Sequence, residues 1–104
     1  MNPVVVVVTI IPVPEHRSEV IAALERAITL AHAEDEGCLL YALHEGDDRL
    51  VEIEKWSSPE ALDAHLRGPA VRQLLKDIEG KIVGELDGHV LRPHPAGTPQ
   101  QGAL

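Results

Sequence analysis

The stretch from Glu36 to Pro69, EGCLLYALHEGDDRLVEIEKWSSPEALDAHLRGP, constrains the fold of this chain more than any other. Cys38 to His44 is an apolar run, Gly46-Asp47-Asp48 is turn chemistry, and Leu50 to Trp56 alternates apolar with charged residues, so the pair reads as a β-hairpin. Ser58-Pro59-Glu60 then opens a helix. The serine caps, the proline at the first helical position gives up no needed N–H, and the glutamate suits the positive end of the helix dipole. The only Trp and the only Tyr of the chain, Trp56 and Tyr41, both fall on this hairpin.

Around it, Pro3 to Ile11 is apolar on both alternations, the pattern of a strand covered on both faces, and Pro12 and Pro14 end it. From about Glu15 to Glu34, Val20, Ile21, Leu24, Ala27, Ile28 and Ala31 follow helical spacing. The acidic end of that helix, Glu34-Asp35-Glu36, is unfavourable at a helix C-terminus, and Gly37 gives the chain its exit into the hairpin. After a short helix over Pro59 to Leu66 and a break at Gly68-Pro69, a second stripe, Val71, Leu74, Leu75, Ile78, Ile82 and Val83, predicts another helix, weakened at Gly80. Leu86 to Arg92 is the expected fourth strand.

The order is β-α-β-β-α-β with the second helical region split, an α+β, ferredoxin-like arrangement around an antiparallel four-stranded sheet. Residues 1–93 form one domain, and residues 94–104, with Pro95, Gly97, Pro99 and Gly102, form a flexible C-terminal tail. Two helices can cover only one face of a four-stranded sheet. The apolar residues on the other face of the first two strands then call for a second copy of the chain.

A net charge of −8 opposes attraction to phosphate backbones or anionic lipid, so neither nucleic acid nor membrane is an expected partner. Val4 to Ile11 is too short to span a bilayer, and the start lacks a signal-peptide pattern, which points to a cytoplasmic location. The single cysteine, Cys38, excludes an intramolecular disulfide. The histidines show no HExxH or CxxC-type spacing, and no Walker, GxGxxG or GxSxG motif occurs. Neither cofactor nor metal is expected.

In Glu36-Gly37-Cys38 followed by Tyr41, in Glu54-Lys55-Trp56, and in Ala61 to His65 with Gly68-Pro69 beyond, the chain resembles the antibiotic biosynthesis monooxygenase family. The resemblance implies a dimeric α+β barrel and cofactor-independent oxygenation of a phenolic, anthrone or hydroquinone-like polycyclic substrate. In that chemistry the pocket favours the phenolate or enolate, which itself passes an electron to O₂. The alternatives are a non-catalytic dimer that binds a small molecule and a haem-degrading relative. Haem-degrading relatives use an Asn on the first strand and an axial His on the second long helix, whereas here Val4 to Ile11 has no Asn and Ala70 to Val83 no His.

Of the histidines, His65 is the candidate catalytic residue. It lies near the end of the short helix, where the family often has a histidine, and its neutral imidazole could accept a phenolic proton near pH 7. The competing structural role is a hydrogen bond to the backbone that fixes the break at Gly68-Pro69. His16, His32 and His94 read as solvated surface, His44 as rim and His89 as structural. Trp56, Tyr41, Glu54 and Arg92 are the candidate substrate-binding residues. Trp56 could stack on a flat substrate with its N–H on a quinone oxygen. It shares a strand face with Glu52 and Glu54, and if that face lines the dimer interior, Glu54 needs a partner such as Arg92 or a residue of the other subunit. The Tyr41 hydroxyl needs a partner too, either a backbone carbonyl or the substrate.

Overall fold

The computed structural model describes residues 2–104. The apolar run at the start forms β1 (Val4–Ile10), and a 3-10 turn over Pro14–His16 leads into α1 (Arg17–Glu34). The hairpin follows as β2 (Cys38–Glu45) and β3 (Leu50–Trp56). Two short helices, α2 (Pro59–Leu66) and α3 (Pro69–Asp77), are joined through Gly68, and β4 (Asp87–Leu91) closes the order. The sheet is antiparallel throughout, with strand order β2-β3-β1-β4, as in a ferredoxin-like fold.

The second helical stripe stops short of the expected Val83. Gly80 and Gly84 take φ of +74° and +69°, a region that side-chain-bearing residues avoid, so the helix cannot continue through them. The chain instead runs extended beside the end of β1: Val13 N–H donates to Lys81 O at 2.9 Å, and Val83 N–H donates to Ile11 O at 2.7 Å. Ile82 still packs on the core, from a bridge to Pro12 rather than from a helix.

Register decides which side chains meet the helices. Val4, Val6 and Ile10 of β1 are buried, as are Leu50, Glu52, Glu54 and Trp56 of β3. Val6 opposes Glu54, and Val4 opposes Trp56. Toward one end of this face Ile10 and Leu50 pack with Val20, Leu24, Leu74 and Ile78; toward the other, Trp56 and Tyr41 pack with Ala31 and Leu62. An irregularity in pairing between Cys38 and Leu40 leaves Leu39 exposed and turns Tyr41 to the helix side, opposite Glu54. The opposite sheet face carries Val5, Val7, Ala42, Val51 and Ile53, all half-buried. Glu52, Glu54 and Trp56 therefore face the helices of their own chain.

Candidate active site

Local chemistry sets α2 over the sheet. Ser58 Oγ accepts from Ala61 N–H at 3.1 Å, and Pro59 occupies the first turn. The helix lies directly against the start of β2, because a Cβ on Gly37 would fall 2.3 Å from the Ala61 Cβ. That close approach brings the end of α2 above Trp56 and beside the end of α1.

His65, in the last turn of α2, is 3% exposed. Its Nδ1 lies 2.7 Å from Asp35 Oδ2. Its ring is stacked on Trp56, with centroids 4.3 Å apart and planes at 28°, and the Tyr41 ring meets it edge-on at 5.5 Å. With the Asp35 carboxylate accepting from Nδ1, the neutral imidazole carries its proton there and leaves Nε2 as a lone-pair acceptor. The side chain is thus committed to Asp35, while the break after α2 is closed by its backbone, Gly68 N–H donating to His65 O at 2.9 Å. The pair also borders a recess lined by Glu34, Glu36 and Ser57.

Beneath α2 and α3 lies a largely apolar cavity of about 260 Å³. A cavity of ~150 Å³ accepts benzene, so this larger space, open at its rim, is of a size for an aromatic ring system. Val6, Val8, Leu62 and Leu74 supply walls, Tyr41, Glu52, Glu54 and His65 the polar groups. Val90 and Leu66, exposed at 62% and 53%, lie at its rim, where β4 has no helix above it.

Trp56 Nε1–H donates to Glu54 Oε1 at 2.9 Å. In this structure the indole N–H is held by Glu54, and Trp56 is fully buried as a hydrophobic anchor. Burial raises the Glu54 pKa, opposed by that hydrogen bond and then by the nearby His65. Glu52, 2% exposed, has Oε2 buried without a hydrogen bond. Burial first, and the Glu54 charge second, push its pKa up to about 8, with the Tyr41 hydroxyl acting the other way. Burial and the same two carboxylates keep the Tyr41 phenol protonated far above its ordinary range.

Four of the five expected site residues, His65, Trp56, Tyr41 and Glu54, thus come together. Arg92 does not join them: it is exposed and lines a separate recess with Val5, Lys55 and Leu91, so it is not the partner of Glu54. His32, expected as solvated surface, is exposed, with its Nε2 3.1 Å from Tyr41 O. Sequence reasoning missed Asp35 and Glu52. The signal for Asp35 was its unfavourable place at the end of α1; for Glu52 it was a carboxylate on the same strand face as Trp56. Among the described residues no group of three or more His, Cys, Asp or Glu is arranged to hold a metal ion.

Residues 3–77 match the family model described as antibiotic biosynthesis monooxygenase. The Mycobacterium tuberculosis protein named "Putative monooxygenase Rv0793" is 41% identical over 70 residues, covering 65% of this chain and 68% of that protein. The solved structure of Rv0793 superposes with a TM-score of 0.85 at 28% identity, covering 93% of this chain and all (100%) of that one. A structure from Caulobacter crescentus, described as an antibiotic biosynthesis monooxygenase of putative function, has a TM-score of 0.82 at 19% identity over 86% of this chain and 88% of its own, a likeness of fold.

Proposed function

Because the chain belongs to the antibiotic biosynthesis monooxygenase family, we propose that it is a cofactor-independent monooxygenase acting on a phenolic, anthrone or hydroquinone-like substrate with O₂ in the cavity beneath α2. The observation that carries this reading is a buried histidine, oriented by Asp35 and stacked on Trp56, lining an apolar cavity of aromatic size. His65 Nε2 takes the acidic proton of the substrate, and Asp35 stabilises the imidazolium that forms. The resulting phenolate or enolate is electron-rich enough to pass one electron to O₂, and the two radicals combine at a ring carbon. One oxygen atom stays on that carbon as a carbonyl; the other leaves with two substrate hydrogens as water. The apolar walls exclude bulk water, which strengthens the polar contacts inside and protects the intermediates.

The reading includes a homodimer. It is supported by the apolar sheet face opposite the helices, where Val5, Val7 and Ile53 are half-buried in a single chain. The cytoplasm is the compartment proposed for it; no helix among the described residues is long and apolar enough to cross a membrane. Oxygen consumption with a panel of hydroquinones and anthrones tests the activity. Uptake should be catalysed by the purified protein and fall by about 10²–10⁴ in His65→Ala, the usual contribution of general acid–base catalysis. A panel that gives no catalysed uptake contradicts the proposal.

A further inference from the structure

The mechanism just described leaves Glu52 without a task. It is among the largest fully buried side chains, it lines the cavity, and Oε2 has no hydrogen-bond partner. An unmatched carboxyl oxygen in an apolar site is costly, and a side chain of the same shape without polar atoms avoids that cost. The position along the strand is also informative. Tyr41, whose ring meets His65, opposes Glu54, whereas Glu52 is the next residue on this face and opposes Leu43. Two residues along a strand amount to ~7 Å, about the span of a phenol with a short para substituent. His65 and Glu52 both line the cavity, and Glu52 lies one strand repeat along from the Tyr41–Glu54 pair beside His65.

We propose that Glu52 is a carboxylic-acid donor that hydrogen-bonds an acceptor oxygen on the substrate, one strand repeat along β3 from the Tyr41–Glu54 pair beside His65. The substrate class is narrowed accordingly to aromatic hydroxyl compounds bearing a second oxygen roughly para to the acidic one. The assignment rests on the reading that the acidic hydroxyl lies at His65. The titratable groups around Glu52 are Glu54 on its own strand, Tyr41 on β2 and His65 on α2; β1 and α3 contribute apolar residues such as Val8 and Leu74. None of them supplies a fixed positive charge to ionise Glu52, and its pKa, raised to about 8, keeps it a donor at neutral pH.

The probes are 4-(methoxymethyl)phenol and 4-propylphenol, matched in shape and differing by one acceptor oxygen in place of a methylene. Calorimetric binding to the whole protein should show the ether bound about three- to tenfold more tightly at pH 6, the range one net hydrogen bond supplies. The preference should vanish by pH 9, where Glu52 is ionised and no longer donates. Glu52→Gln, which keeps a donor, should retain the preference at both pH values, and Glu52→Leu should lose it or reverse it. Equal binding of the two probes at pH 6, or a preference that survives in Glu52→Leu, overturns the role of Glu52 and leaves the catalytic reading standing. Failure of both probes to bind overturns the two together.

Discussion

Glu52 and Glu54 point the same way from one strand into a site with no fixed cation, so their protonation is coupled to folding. Glu52 has a native pKa of about 8 against an ordinary 4.5. Below pH 4.5 both the folded and unfolded chains hold the proton; between pH 4.5 and 8 the unfolded chain releases it and the native state keeps it. Stability should therefore fall as pH rises through that window and level off above it, with Glu54 adding in the same direction. Glu52→Gln should raise stability at pH 8, by on the order of a few kcal/mol, and change it little at pH 4. Urea unfolding at the two pH values checks this. Trp56→Phe keeps the ring stacked on His65 but strips Glu54 of its donor, and should cost about 1–3 kcal/mol in the same assay. At this scale the sequence was informative about residue types and poor about partners. Tyr41, Trp56 and His65 were recognisable as unusual, whereas the Asp35–His65 contact joins residues 30 apart that no local pattern connects.

The elements matter through one close contact, where α2 rests on the start of β2. Gly37→Ala would drive a methyl group into Ala61, pushing α2 away from the sheet and lifting His65 from Asp35 and Trp56. Overpacking of this kind costs about 1–3 kcal/mol, so a lowered melting temperature should accompany lost turnover. Ser58→Ala removes only the cap and should cost about 1 kcal/mol with the site kept in place. Circular dichroism melts beside turnover separate the two. The hairpin, the cap and the break at Gly68 were legible because each is written in adjacent residues. The side of β3 that meets the helices was not, since alternation gives the parity of a strand and not the layer that covers it. The end of α3 was missed for a related reason: the apolar spacing of Ile82 fits a helix as well as a bridge to Pro12, and only the positive φ of Gly80 and Gly84 decides.

For the molecule as a whole, the β-α-β-β-α-β order was readable, because apolar runs, alternation, helical spacing and turn residues each mark an element. The sheet face left without helices carries Val5, Val7, Ala42, Val51 and Ile53, and a second copy would remove that apolar surface from water. Sedimentation at micromolar concentration should give a dimer, and Val7→Lys should weaken it without reaching the cavity on the other face. A stable monomer of the natural sequence would contradict the assembly. The account stands or falls on the fate of dioxygen, and the direct measurement is turnover of a reactive anthrone or hydroquinone under ¹⁸O₂, with mass analysis of the product and assay of peroxide. A monooxygenase working through His65 gives one ¹⁸O atom per product, labelled water and no hydrogen peroxide, at a rate that falls in His65→Ala. Unlabelled product with one hydrogen peroxide per O₂ consumed, or labelling at the same rate in His65→Ala, would contradict it.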